Sequence, residues 1–526
     1  VRRWRLAGQD PADMFRGLYV SEAEVDGLLT RPSGSNWGQT VALGSEEAQT
    51  FAEAEVQAIR QAQALAAMAR RQGQTLRLIH LATAFGLDRF DLDAFLICLA
   101  PALDLRYERL YSYLQDDVTR KRPTVNLVLD LLGETGPERL LRLPHFTDDA
   151  PLFRYRLLER LSETEVDAFH LLSQTLAPGE TVVTWLLGKY QPQADLRMHV
   201  TLLRPRADAN QADELLAGEA WPCPGQSVGE GPVVVFYGPD QVSQQAAARL
   251  SATRLDRPLL TVDLAGALQA GLSPLHALRL TLRDARLTGA VPHLFNWDAC
   301  LAEKGTPSPD VLAELCAYPD LAIISGRAAW QPEGIDRERP LLWLEFPVPA
   351  YARRYALWQH FLGQTELDGE VDIASLAGQF ALTSGQIRDA VASAGDMAAQ
   401  HGRPLRNQDL FAAARAHSNP HLASLARKIV PRYTWPDIIL PADQLTILRE
   451  IVATVRGRPR VLGEWGVGQK LVSSAGVTVL FAGPAGTGKT MAAEIIAAEL
   501  GLDLYKIDLS TVVSKYIGET EKNLER

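Results

Sequence analysis

The chain has 526 residues, of which 47% are hydrophobic and 22% charged, with a formal net charge of −10. That length suits about three to four domains. The acidic balance excludes bulk attraction to nucleic acid, although it allows a local basic patch. No apolar run approaches the roughly 18 residues of a membrane-spanning helix. The basic start VRRWRLAGQDPADMF lacks the apolar stretch of a secretory signal, so a cytoplasmic location without a membrane partner is expected. Cys98, Cys223, Cys300 and Cys316 show no C-x-x-C spacing and no accompanying His cluster. They read as small buried apolar residues, not as zinc ligands or a disulfide framework.

Residues 1–75 form an N-terminal helical region. Its first part is punctuated by RPSGSNWGQ at 31–39, and 45–72 reads as one long helix with Val56, Ile59, Ala62, Leu65, Ala66 and Ala69 on one side. Residues 76–165 hold four amphipathic segments, LRLIHLATAFGL, FDLDAFLICLAPAL, RYERLYSYLQDD and TVNLVLDLLG, followed by FRYRLLERL. Asp91 and Thr124 are predicted N-caps, while Gly86, Pro101 and Gly133 punctuate. This succession of short helices resembles a winged-helix domain. Asp116, Asp117 and Asp130 among its basic residues favour protein docking over a DNA groove.

Residues 166–220 are expected to be a linker with a short helix in LAPGETVVTWLLG, and WPCPGQSVGEG at 221–231 marks a boundary. From there the pattern becomes α/β. VVVFYG, LLTVDL, PHLFNWDA, LAIISG and LLWLEFP read as short, fully apolar strands of a parallel sheet, with lid-like helices at 351–362 and 371–398.

The octapeptide GPAGTGKT carries the chemistry. Gly483, Pro484, Ala485, Gly486, Thr487, Gly488, Lys489 and Thr490 follow an apolar run at 477–481, read as a strand, and open a helix beginning at Met491. Strand, loop and helix in that order are the context of a phosphate loop. Backbone N–H groups and the positive helix start would cradle a polyphosphate. Lys489 would reach the β- and γ-phosphates, and Thr490 would offer its hydroxyl to Mg²⁺. An earlier copy of the pattern, GPDQVSQQ at 238–245, lacks this chemistry. Ser243 stands at the second glycine position, Gln244 at the lysine and Gln245 at the threonine. Downstream, Asp298 ends a strand with Ala299 where a catalytic Glu would be expected, and Ser325 ends the next. Arg337 or Arg339 is a candidate cation for a neighbour's γ-phosphate, against the alternative of a solvated arginine.

Together these motifs resemble the AAA+ superfamily. Residues 221–416 resemble a complete but degenerate AAA+ module that is not expected to hydrolyse ATP. Residues 425–526 resemble the N-terminal half of an intact module of the AAA family proper. In that family the segment PRYTWPDIIL flanks the adenine, which assigns Asp437 and Ile438 to the base, although Ile439 and Leu440 replace the usual glycine pair. SKYIGETEKNL resembles the family's central-pore segment, so Tyr516, Ile517 and Gly518 would line the channel of a hexameric ring. No apolar strand ending in Asp-Glu occurs between Met491 and Arg526, and the chain is therefore expected to continue past Arg526 to its catalytic acid.

The resulting fold class is multidomain: an N-terminal α-helical, winged-helix-like region followed by two α/β phosphate-loop modules, the second incomplete. The resemblance implies ATP and Mg²⁺ as cofactors, a homo-oligomeric ring, and protein substrates that are remodelled, unfolded or disassembled through the pore. It also points to contractile injection systems as context. The alternatives are a nucleic-acid-dependent ATPase recruited by the winged helix, and a nucleotide-responsive scaffold without turnover.

Overall fold

Strands without polar alternation persist only where both faces are covered. The first four of the five apolar runs between 233 and 345 meet that condition, whereas the last, 341–345, is an edge strand with no buried residue. The structure, a computed structural model, describes residues 2–3, 43–74, 76–132, 136–161, 170–205, 210–218, 231–302, 305–333, 339–363, 367–418, 427–464 and 477–507.

The first helix, α1 (Ser45–Arg71), buries only Ala69. Behind it come α2 (Arg77–Phe85), α3 (Arg89–Leu103), α4 (Arg106–Leu114), α5 (Val125–Leu132) and α6 (Gly136–Arg142). Next are an antiparallel pair, β1 (Leu158–Leu161) with β2 (Thr175–Pro178), and helix α7 (Glu180–Leu186). Leu81, Phe95, Val128, Leu152, Leu176 and Val182 share one core. Helices closed by a two-stranded wing match the winged-helix expectation.

Three local expectations need correction. The segment expected as a linker supplies β2 and α7 to this core. Asp91 is not the cap of α3: Asp88 accepts from the Asp91 N–H at 2.8 Å, and the Asp91 carboxylate accepts from the Asp88 N–H at 3.3 Å. Asp91 is thus the third residue of a reciprocal capping box. Pro101 lies within α3 instead of ending it. Its missing N–H leaves the Ile97 carbonyl without its helical donor, and the Tyr111 hydroxyl donates to that carbonyl at 2.8 Å. Thr124 does cap α5, accepting from the Leu127 N–H at 3.2 Å.

The main sheet begins with β3 (Val200–Leu203), also from the expected linker, and helix α8 (Asn210–Ala217) follows it. The sheet continues through β4 (Val233–Tyr237), α9 (Gln241–Arg254), β5 (Leu259–Asp263), α10 (Leu264–Gln269), α11 (Pro274–Thr288) and β6 (Val291–Phe295). It ends with α12 (Pro309–Cys316), β7 (Ala322–Ser325) and β8 (Leu341–Glu345). The strand order is β3-β5-β6-β7-β4-β8, parallel throughout except for β3 at the edge. Alternate side chains of β4 enter different cores: Val234 and Phe236 pack under the lid, whereas Val233 and Val235 pack on the opposite face.

The lid consists of α13 (Tyr351–Leu362), α14 (Ile373–Gln379), α15 (Ser384–Gln400) and α16 (Asn407–Ser418). Leu357, Trp358, Ile387 and Leu410 join it to the sheet. β4 lies between β7 and β8, so the loop after β4 opens at the point where crossovers leave the sheet in opposite directions, the usual ligand crevice of such sheets.

The last part holds β9 (Arg427–Ile429), α17 (Ala442–Glu464), α18 (Lys489–Leu500) and β10 (Leu504–Lys506), with β10 antiparallel to β9. Residues 477–481, expected as a strand, are unpaired among the described residues, and Leu480 is 90% exposed. A strand exists only through its ladder with neighbours, so apolar composition alone does not produce one here. No helix among the described residues is long and apolar enough to cross a membrane.

Candidate nucleotide-binding site

The phosphate-loop segment adopts a backbone that only glycine adopts readily. Gly483, Gly486 and Gly488 have φ values of 150°, 82° and 82°. A Cβ built on Gly486 or Gly488 would meet nothing within 4 Å, so these positions require glycine for backbone conformation and not for space. Gly488 delivers the chain directly into α18, whose N-terminus receives no side-chain cap. The first N–H groups of a helix have no intrahelical acceptor, and this end carries the positive pole of the helix dipole. The Lys489 ammonium is folded onto the loop itself. It donates to the carbonyls of Gly483 at 3.0 Å and Pro484 at 2.6 Å, and lies 3.4 Å from Thr487 Oγ1.

The loop borders a cleft of about 930 Å³. Gly483, Pro484, Gly486, Thr487, Gly488, Lys489 and Met491 line it together with Asp437 and Ile438. Ala485 and Thr490 belong to the same loop but do not line the cleft, and the Thr490 side chain is exposed. Ile438 is buried against Leu448, Ala492 and Ile495. The Asp437 carboxylate is committed locally, accepting from the Thr434 N–H at 2.7 Å and the Thr434 hydroxyl at 2.8 Å. These hydrogen bonds hold it below the usual carboxylate range, which leaves Ile438 as the residue suited to an apolar base. Ile447 and Ile451 on α17 complete the wall. The sequence reading did not single them out; their four-residue spacing on one helix face was the available signal. Tyr516, Ile517 and Gly518 lie outside the described residues.

The site residues fit a Mg-nucleotide. Left-handed glycines, an uncapped helix start and an ammonium provide an anion cradle, and the exposed Thr490 would offer its hydroxyl to a hydrated metal.

The corresponding position in the first α/β module is filled by the protein's own side chains. Without inner glycines, residues 241–243 wind into the first turn of α9, and Asp240 caps it. The Asp240 carboxylate accepts from Ser243 N at 3.3 Å, Ser243 Oγ at 2.8 Å, Ser384 N at 3.2 Å and Ser384 Oγ at 2.7 Å. Gln244, at the lysine position, donates to the carbonyls of Gly238 at 3.0 Å and Gly326 at 3.1 Å. Arg353 adds a contact to Ser243 Oγ at 3.2 Å. Asp240, Ser243, Gln244 and Ser384 are all buried.

Asp298 accepts from the N–H groups of Arg327 at 2.7 Å and Ala328 at 2.9 Å, so it braces the loop after β7. Ser325 is bonded to His293 Nε2 at 2.7 Å. The arginine-finger expectation fails for Arg339. It is buried and donates to the carbonyls of Gly231, Leu315, Tyr318 and Asp320, which ties β8 to its neighbours. Arg337 lies outside the described residues.

Comparison with known proteins matches three segments of the chain. Residues 3–200 match the family described as winged helix domain, variant. Residues 350–420 match the contractile injection system ATPase helical domain, and residues 479–526 match the AAA family, ATPases associated with various cellular activities. The chain carries a winged-helix domain and an AAA-type ATPase segment.

Among similar proteins, an uncharacterized AAA family ATPase of Sinorhizobium fredii is 36% identical over 104 residues, 20% of this chain and 29% of the relative. The peroxisomal ATPase PEX6 of Eremothecium gossypii is 28% identical over 234 residues, covering 40% of this chain and 22% of the relative. A katanin p60-like ATPase of Danio rerio is 37% identical over 102 residues, covering 19% and 20% respectively. The matches thus span less than a third of each of these relatives.

Proposed function

We propose that residues 483–490 bind the phosphates of Mg-ATP, and that the whole protein is an AAA-type ATPase that remodels protein substrates. The observation that carries this reading is the unclaimed N-terminus of α18. Three left-handed glycines and an ammonium surround a helix start that no described side chain caps. Lys489 exchanges its loop carbonyls for β- and γ-phosphate oxygens, and Thr490 presents its hydroxyl to Mg²⁺. The metal supplies charge neutralisation along the phosphate chain. Ile438, Ile447 and Ile451 give the base an apolar wall.

The first α/β module binds no nucleotide and serves as a structural platform, because Asp240 already supplies the anion that its helix start attracts. Tyr516, Ile517 and Gly518 grip substrate in the pore of a homo-oligomeric, hexameric ring. An aromatic side chain suits this task because it offers a large contact area at low entropy cost. The match of residues 350–420 supports a contractile injection system as the setting.

The test is Mg-ATP titration of the full-length protein. Lys489→Ala removes the charge-assisted contact and should weaken binding roughly 10- to 100-fold. Unchanged affinity in that variant would sink the assignment. Tyr516→Ala should preserve ATP turnover while abolishing substrate processing, and a variant that still processes substrate at the normal rate removes the pore role.

A further inference from the structure

A second concave site lies away from the phosphate loop, where the wing strand β1 faces helix α11 of the first α/β module. It is a cleft of about 440 Å³ with four arginines in its wall: Arg154, Arg156, Arg160 and Arg279. The carboxylates available to them are fewer. Arg154 and Arg279 share a single oxygen, Glu314 Oε2, at 3.3 and 3.0 Å, and Glu314 is 6% exposed. Arg160 pairs with Asp148, and Glu159 is the remaining acid of the wall. Four guanidinium groups therefore face three carboxylates, and Arg156 has no acceptor among the described residues.

Donor capacity around the cleft exceeds acceptor supply in a second way. Arg154 Nε and Arg160 Nε are buried without a hydrogen-bond partner among the described residues. So is Nη2 of Arg283, a 1% exposed side chain whose Nη1 reaches the Arg156 carbonyl at 3.5 Å. Unpaired buried donors are rare and unfavourable in folded proteins. Burial, together with the charges of Arg156 and Arg283, pushes the imidazole of His276 in the same wall below its ordinary range. His276 is thus a neutral hydrogen-bonding group in a positive field.

We propose that this cleft binds the diphosphate group of a small ligand, which bridges the winged-helix domain and the first α/β module. Planar guanidinium forks match phosphate oxygens, and a diphosphate presents enough acceptors to engage several forks at once. A carboxylate, with two oxygens, cannot serve four arginines. The size falls within the usual range of small-ligand sites. A long polyanion is disfavoured, because Asp148, whose side chain is 87% exposed, and Glu159 stand at the wall and the chain carries a net charge of −10.

The experiment is isothermal titration of the full-length Lys489→Ala protein with pyrophosphate at low ionic strength, so that the phosphate loop does not account for the heat. Saturable binding is expected. Arg156→Gln combined with Arg279→Gln should weaken it roughly 10- to 100-fold, while Arg156→Lys, which keeps the charge, should retain most of it. Circular dichroism of each variant separates lost binding from lost folding. Titration with ADP identifies the source: affinity equal to that of pyrophosphate assigns the phosphate tail of a nucleotide, and binding of pyrophosphate alone assigns the free anion. Absence of pyrophosphate and ADP binding overturns the proposal. So does affinity unchanged by the double arginine variant, or binding of a DNA duplex in place of both phosphates.

Discussion

Removing the Asp240 carboxylate should release the lid of the first α/β module. Four donors converge on it, two of them backbone N–H groups, at Ser243 and Ser384. In an Asp240→Ala protein the two hydroxyls can still pair with each other, since Ser243 Oγ and Ser384 Oγ already lie 3.0 Å apart. The two N–H groups cannot. A buried donor left without an acceptor costs about 1–3 kcal/mol, and the loss of an N-cap costs about 1 kcal/mol.

The terms overlap at Ser243, so the net effect is about 3 kcal/mol, equivalent to a factor of roughly 150 in an opening equilibrium. Ser384 starts α15, so the opening should appear there. Hydrogen–deuterium exchange of the peptide spanning 384–400 should accelerate by about two orders of magnitude. Asp240→Asn keeps one acceptor oxygen and should fall between the two. If exchange in α15 of the Asp240→Ala protein stays within about threefold of the parent, the carboxylate is not a latch and the account of the filled site is wrong.

Two further outcomes follow from buried groups in the same sheet. Burial pushes the His293 imidazole down from 6.5 to about 3, so it is neutral in the fold. The unfolded chain takes up a proton below pH 6.5 that the folded chain refuses, and stability present above that pH is lost as pH falls toward 3. Between pH 6.5 and 5 the loss should be about 1.5 kcal/mol, read as a drop in thermal midpoint that His293→Gln lacks; equal drops in both proteins would refute the linkage. Arg339→Leu removes the guanidinium donor from five carbonyls, those of Gly231, Pro232, Leu315, Tyr318 and Asp320. It should lower the thermal midpoint and leave Mg-ATP affinity unchanged, whereas a normal midpoint with slowed hydrolysis would restore Arg339 as a finger.

The parts of the fold legible in the sequence were those fixed by local pattern. β4 to β7 were readable because a strand covered on both faces must be apolar throughout, and Val233–Tyr237 is; β8 was readable from its apolar run alone, since none of Leu341–Glu345 is buried. β3 escaped notice because Val200–Leu203 is a half-covered edge strand whose burial alternates over only four residues, too short for a period to stand out. β1 and β2 are equally short, and their pairing joins residues on either side of 162–169. At the candidate site the glycine spacing was readable because conformation at Gly483, Gly486 and Gly488 is a local demand. The wall formed by Ile447 and Ile451 required knowing where α17 packs.

The filled site was half readable. The missing lysine at Gln244 was visible, but the replacement was not, because Ser384 stands 144 residues from Asp240. The two loops nonetheless answer one electrostatic question. Each leads into a helix whose first N–H groups point outward with a positive field behind them. Burying such an end requires an anion or a cap. In the first module the chain supplies the carboxylate of Asp240, and the serines of α9 and α15 close over it. In the second, Ala485 stands where Asp240 does, glycines hold the backbone open, and the charge folded onto the loop is a cation. The same helix-end requirement that makes the first site self-sufficient leaves the second dependent on an anion from outside.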